Sequence, residues 1–135
     1  MNEISTRTAK ISLDENGVLY FKMMKGIHLD YEDAIDNALV IKKLTDDKPT
    51  LKLVDARLGW TIDKKAEKFI RSNEVKEKTI ARAVLKSSAL SSILSNFFSK
   101  LNRPKVPTQI FTDYNEAYKW LLEMKNNKKT EYVKS

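Results

Sequence analysis

The stretch TLKLVDARLGWTID, residues 50–63, contains a strand, a loop and the start of a helix. Its first part is a nearly continuous apolar run that ends in Asp55, as expected for a strand covered on both faces. Apolar residues then recur at helical spacing from about residue 63 to residue 73. A buried strand followed so closely by a helix is typical of an α/β domain with parallel strands.

The segments on either side extend this pattern. Residues 6–13 and 18–23 predict two strands, and the turn DENG at residues 14–17 joins them in an antiparallel hairpin. The other predicted elements are a helix over 30–44, a strand over 79–85, a serine-rich apolar helix over 87–101, a strand over 108–112 and a helix over 113–124. The predicted order is therefore β-β-α-β-α-β-α-β-α, with right-handed crossovers between the parallel strands.

The length and composition indicate one globular domain. The 135 residues are 41% hydrophobic and 32% charged, so we predict a single domain over residues 1–125. The polar segment 126–135 carries no apolar pattern, and we predict a disordered tail there. Without cysteine the chain has no disulfide and no thiolate metal site.

The charge and hydropathy patterns exclude several classes of protein. No apolar run approaches the roughly 20 residues of a membrane span, and the first residues lack the apolar core of a secretion signal. We therefore expect a cytoplasmic protein. The net charge is +7, but only five of the 25 basic residues are arginine, and the lysines are interleaved with acidic residues. This distribution favours a solvated surface over a nucleic-acid interface.

Four stretches resemble a group of small bacterial proteins of the STAS/SEC14-like type. They are LVDAR (53–57), SNFF (95–98), RPKVPTQIFTD (103–113) and NEAYKWL (115–121). With the hairpin and the first helix, the resemblance covers nearly the whole chain. It implies the SpoIIAA-like, or STAS-like, α/β fold, in which a mixed sheet carries helices mainly on one face. These stretches are packing and turn motifs, so the resemblance concerns the fold more than the function.

The same resemblance implies a phosphorylation mechanism, from which this sequence departs. STAS-type antagonists of anti-sigma factors bind a kinase and carry a phosphoacceptor directly after the aspartate that ends the strand matching residues 50–55. Here Ala56 occupies that place, and the nearest hydroxyl belongs to Thr61. Thr61 is therefore a candidate phosphoacceptor, whose phosphate a helix N-terminus would stabilise. The alternative is that Thr61 only caps the helix.

The loop after the strand holds the candidate recognition residues Asp55, Arg57, Trp60 and Thr61. Asp55 could bind a metal or polarise a ligand, or it could accept loop N–H groups and pair with Arg57. Trp60 stands beside a glycine and could anchor a partner at an exposed loop tip. Alternatively, its ring folds back over the edge of the core.

Basic residues near the same loop are candidate contacts for an anion. Arg57, Lys64 and Lys65 could bind a small anionic ligand or a lipid headgroup at residues 55–65. With Lys68 and Arg71, the two lysines recur at helical spacing and could also form a nucleic-acid strip, which we consider a weaker hypothesis. The sequence predicts no metal site and no cofactor, because it has one histidine and no glycine-rich phosphate loop.

The serine-rich helix leaves two interpretations open. Its serines at 92, 95 and 99 share a face and could lie against a subunit or a membrane surface. In the simpler interpretation the helix is buried and these serines face water.

These observations favour a regulatory or protein-interaction module of STAS-like type without enzymatic activity. No constellation of base, nucleophile and stabilising donor is recognisable. We expect an unidentified protein partner and consider a homodimer possible. The alternative is a protein that binds a small anion or a lipid headgroup through residues 55–65.

Overall fold

The computed structural model describes residues 3–74, 76–87, 96–98, 100 and 106–134, with side chains as far as residue 126. The strands are β1 (Glu3–Ser5), β2 (Ala9–Leu13), β3 (Val18–Met23), β4 (His28–Leu29), β5 (Thr50–Asp55), β6 (Thr61–Ile62), β7 (Thr79–Leu85) and β8 (Thr108–Phe111). The helices are α1 (Tyr31–Thr45), α2 (Lys64–Asn73) and α3 (Tyr114–Lys134), and residues 96–98 are also helical.

Six strands form one mixed sheet in the order β1-β2-β3-β5-β7-β8. β1, β2 and β3 are antiparallel neighbours, whereas β3, β5, β7 and β8 run parallel. β5 therefore lies between two parallel neighbours, with Leu53 opposite Tyr20 on one side and Ala83 on the other. This position explains the nearly continuous apolar run of residues 50–55, because both faces of a central parallel strand are covered.

The helices of the described residues lie on both faces of this sheet, with α1 and α2 on one face and α3 on the other. α1 and α2 cover the face that carries Leu19, Val54 and Val84, together with Phe97 and Phe98. α3 covers the other face, where its apolar side packs on small and branched residues of β5 and β7. The buried residues of the hydrophobic cluster on this α3 face are Val18, Leu51, Leu53, Ala81, Ala83, Leu85, Ala117 and Leu121.

The predicted fold class is confirmed, and the structure corrects several local predictions. The strand predicted over residues 6–13 starts only at Ala9, as β2, and β1 precedes it at Glu3–Ser5. Residues 6–8 turn the chain between the two strands, because the Thr6 hydroxyl accepts the backbone N–H groups of Thr8 and Ala9. No sequence pattern predicts β4 and β6, which pair in parallel as a separate two-stranded sheet. The helix predicted to end near residue 124 continues to Lys134.

The division into a domain over residues 1–125 and a disordered tail over 126–135 stays a prediction. Most of the serine-rich helix predicted over 87–101 lies outside the described residues. Within the described part of the chain, no helix is both long and apolar enough to span a membrane.

Candidate functional site

Asp55 ends β5 as a buried acceptor that is fully engaged by its neighbours. Its carboxylate accepts the Tyr20 hydroxyl at 2.7 Å and two bonds from the Arg57 guanidinium, at 2.9 Å from Nε and 2.8 Å from Nη2. The backbone N–H of Arg57 donates to it at 3.2 Å. Burial works to raise the pKa of Asp55, but these hydrogen bonds outweigh it and hold the pKa below its ordinary value.

In this network Asp55 accepts a loop N–H group and pairs with Arg57, as in the second of the two alternatives considered for it. Both carboxylate oxygens are already paired, and the hydrogen bonds that the Arg57 guanidinium donates to Asp55 raise the pKa of Arg57. No group of three His, Asp or Glu side chains that could hold a metal ion occurs among the described residues.

The loop after Asp55 is exposed but anchored at both ends. Arg57, Leu58 and Gly59 are exposed, and the side chain of Arg57 keeps 44% of its surface accessible while it pairs with Asp55. The Gly59 carbonyl accepts the Gly26 N–H at 2.6 Å. The loop is therefore held in place while it presents a cation and a leucine to solvent.

Tyr114, the first residue of α3, carries an exposed aromatic ring that is connected to this loop through Tyr20 and Asp55. Its ring meets Tyr20 edge to face at 6.1 Å, and Tyr20 donates to Asp55. Leu58 and Tyr114 are 39% and 40% exposed, and only Leu39 accompanies them as an exposed large hydrophobic residue in the described chain. We call Arg57, Leu58, Gly59 and Tyr114 the corner surface. The sequence reasoning missed Tyr114 because its place beside Tyr20 depends on how α3 packs.

Trp60 folds back into the protein and is only 7% exposed. It packs with Met23 and Val84 on the α1 and α2 face, and its ring lies 6.0 Å from that of Phe98 in an edge-to-face contact. Asp55 lies on the α3 face, so the loop passes over the C-terminal end of β5 from one face of the sheet to the other between the two residues. The structure thus separates Trp60 from Asp55 and Arg57. Of the two alternatives for Trp60, an exposed anchor or a ring folded back over the core, its position matches the second.

Thr61 does not cap α2. It lies in β6, exposed, and its hydroxyl is 2.7 Å from the ring Nδ1 of His28. The cap is Asp63, whose carboxylate accepts the Ala66 N–H at 2.7 Å. The capping alternative for Thr61 is therefore wrong, because the chain needs two more residues to cross from β6 into the helix. A phosphoacceptor role for Thr61 stays a prediction.

The three candidate anion contacts are not brought together around one empty site. Arg57 is paired with Asp55, and the ammonium of Lys65 lies 4.4 Å from the centre of the Tyr31 ring in a cation–π contact. Lys64 is exposed at the start of α2. Because Asp63 already places a carboxylate at the N-terminus of α2, that end of the helix attracts a further anion less strongly.

Two buried ion pairs lie beneath α1 and α2. Arg82 of β7 donates to both carboxylate oxygens of Glu74 at 2.5 and 2.7 Å and to the Thr108 hydroxyl at 3.0 Å. Lys52 of β5 lies 3.0 Å from Glu77. Burial lowers the pKa of Lys52, although Glu77 acts in the opposite direction. The sequence analysis did not predict these pairs. However, a basic residue inside a mainly apolar strand, as in β5 and β7, indicates that a buried acidic partner is needed.

A partly open cavity of about 100 Å³ adjoins these ion pairs and lies between the sheet and the two helices. Lys52, Arg82, Glu74 and Glu77 line it on one side. The apolar part of its lining includes Phe21, Leu29, Val54, Trp60, Phe97 and Phe98.

Comparison with known proteins agrees with this architecture. The structure is similar to the crystal structure of an uncharacterised protein of the DUF3478 family with a SpoIIAA-like fold from Shewanella loihica PV-4. The TM-score is 0.63 at 17% sequence identity, and the match covers 87% of this chain and 98% of that chain. The likeness confirms the predicted SpoIIAA-like fold.

Two further comparisons concern the sequence. No curated protein matches the chain. The family model described as a domain of unknown function, DUF7793, matches residues 11–125. Since this match spans most of the chain, the protein belongs to the DUF7793 family.

Proposed function

We propose that this chain is a regulatory module of STAS-like type that acts by binding a protein partner and carries out no catalysis. The observation that carries the proposal is the corner surface. It combines an arginine, a leucine and a tyrosine on an anchored loop and helix start. Tyrosine and arginine are enriched among the residues that contribute most to protein–protein binding.

The rigidity of the corner surface supports this role. Arg57 is fixed by Asp55, and Tyr114 packs between Tyr20 and Tyr118, with ring centres 6.1 and 5.9 Å away. Side chains that are already ordered lose less conformational entropy when a partner covers them. A docking surface of this kind needs no large rearrangement of the fold.

The engagement of the acidic side chains supports a role without catalysis. In the described part of the chain, Asp55 and Glu74 are bound by arginines, Asp33 pairs with Arg7, and Asp63 caps a helix. A general base needs a carboxylate or imidazole that can reach a substrate proton. These carboxylates instead stabilise the fold.

A comparison of two leucine variants tests the proposal. Tagged wild-type protein is used to retrieve partners from native cells, in parallel with Leu58→Asp and Leu39→Asp. Both substitutions replace an exposed leucine, but only Leu58 belongs to the corner surface, so both variants should fold. We expect a protein retained by the wild type and by Leu39→Asp to be lost with Leu58→Asp. Equal retention by all three would contradict the proposal.

Phosphorylation of Thr61 is a separate proposal that intact mass can test. The protein isolated from native cells under several growth conditions should carry one added phosphate, which Thr61→Ala removes. The motivation is the exposed hydroxyl beside His28. If the mass stays unmodified under every condition, Thr61 serves only the contact between β4 and β6.

A homodimer is the second form that an interaction at the corner surface could take. In a twofold dimer the same patch contacts itself on both copies. Native mass spectrometry would then show a dimer that Leu58→Asp dissociates and Leu39→Asp preserves. A monomer at every concentration would exclude this form and leave the protein-partner proposal in place.

A further inference from the structure

The cavity beneath α1 and α2 has the composition of a small-molecule site. Its volume is about 100 Å³, compared with roughly 150 Å³ for an engineered cavity known to bind benzene. A molecule near the size of a single six-membered ring would fill it after modest side-chain movement. Binding pockets commonly combine a mainly apolar wall with a few fixed polar groups.

The polar wall is neutral overall. Lys52 and Arg82 each face a glutamate, at 3.0 Å for Lys52 and in a bidentate pair for Arg82. A charged ligand would enter this region without a free counter-ion and would lose its hydration. An uncharged ligand avoids that penalty.

Two buried donors in the wall have unused capacity. The Lys52 ammonium carries three N–H groups, and within the described residues its side chain makes one hydrogen bond, to Glu77. The indole Nε1–H of Trp60 is buried and has no partner in the same part of the chain. Buried donors without partners are uncommon and are often satisfied by water or by a ligand.

We propose that this cavity binds a small uncharged molecule with an apolar ring and one hydrogen-bond acceptor. The acceptor, a carbonyl or hydroxyl oxygen or a ring nitrogen, takes an N–H from Lys52. The ring packs against Trp60 and Phe98. This site lies apart from the corner surface, so the inference goes beyond the proposed function and does not depend on it.

Pyridine and benzene form a matched pair of probes, because the two rings have the same shape and only pyridine has an acceptor. The titration is done at mildly alkaline pH, where pyridine carries no charge. Both probes should shift the indole N–H signal of Trp60 in NMR spectra. The signal of Trp120, which belongs to the α3 face, should stay in place. If the Trp60 signal moves neither with benzene up to its solubility limit nor with pyridine at the same concentrations, the cavity holds only water and the proposal fails.

The variant Lys52→Met tests the role of the ammonium. It keeps much of the side-chain volume and leaves Glu77, which is less deeply buried, able to turn toward solvent. The ratio of the benzene Kd to the pyridine Kd should fall roughly tenfold, the effect expected for one lost hydrogen bond to a charged donor. The exposed control Lys22→Met should leave the ratio unchanged. An unchanged ratio in folded Lys52→Met would overturn the proposal.

A second variant keeps the test decisive if Lys52→Met does not fold. Ala34 is buried in α1 and lines the cavity, so Ala34→Leu fills part of the space and leaves both ion pairs intact. Neither probe should bind this variant. Undiminished binding would mean that the probes bind outside the cavity, which would contradict the proposal. Leu58→Asp should bind both probes normally, which separates a failure of this inference from a failure of the corner surface.

Discussion

At the scale of single residues, removing one partner of the buried pair formed by Arg82 and Glu74 should destabilise the fold strongly. Both side chains are at most 5% exposed, and the carboxylate accepts two hydrogen bonds from the guanidinium. Breaking a buried pair leaves one charge without a partner, which costs about 3–5 kcal/mol. We expect Glu74→Gln to lower the free energy of unfolding by about that amount in urea denaturation.

The double variant Arg82→Met with Glu74→Leu is the control for this prediction. It removes both charges, so it should lose clearly less stability than Glu74→Gln alone. Equal losses in the two proteins would mean that packing volume, and not the unpaired charge, determines the effect.

Asp55 gives a prediction about pH. Its pKa in the folded protein lies below the ordinary value of about 3.9, so the ionised form stabilises the fold. This contribution is fully present above the unfolded-state pKa and is lost as pH falls through the folded-state pKa. Asp55→Asn should cost about 1–3 kcal/mol in urea denaturation at neutral pH, and the difference from wild type should shrink below about pH 4.

The exposed carboxylate of Asp36 supplies the control. Asp36→Asn should unfold like the wild type at neutral pH. If the Asp55→Asn difference were the same at acid and neutral pH, the stabilisation would come from the shape of the side chain and not from its charge.

At the scale of elements, α2 is capped by Asp63 and not by Thr61, the residue considered as a cap from the sequence. Asp63 accepts the Ala66 N–H, whereas Thr61 contacts His28. Asp63→Ala should therefore lower the free energy of unfolding by about 1 kcal/mol, measured in urea. Thr61→Ala should cost less. A larger loss for Thr61→Ala would move the cap back to the position that the sequence suggested.

The larger elements were predictable because periodicity and caps act locally. The apolar run of β5 forms the predicted strand, and α1 begins near its predicted start, where the structure shows a capping box of Asp30 with Asp33. β4 and β6 are two residues long and exist because two distant loops meet. No local pattern encodes such a contact, so sequence reasoning alone could not find them.

At the scale of the whole molecule, the sequence predicts a loop after β5 but does not assign the residues of this loop to one face of the sheet or the other. Asp55 and Trp60 are five positions apart, yet they contribute to opposite sides of the sheet. The face on which each of these two residues lies depends on the path of the loop over the C-terminal end of β5. The cavity depends likewise on how α1 and α2 pack over β5, and Tyr114 reaches the corner surface only through the packing of α3.

The claim that the corner surface is the contact site concerns the whole molecule and can be tested in living cells. A photoreactive amino acid is placed at position 58 or, as the matched control, at position 39. Cross-linking followed by mass analysis distinguishes a different protein from a second copy of the 15.6 kDa chain. We predict one adduct of defined mass from position 58 and none from position 39. Adducts from both positions alike, or from neither, would contradict the account.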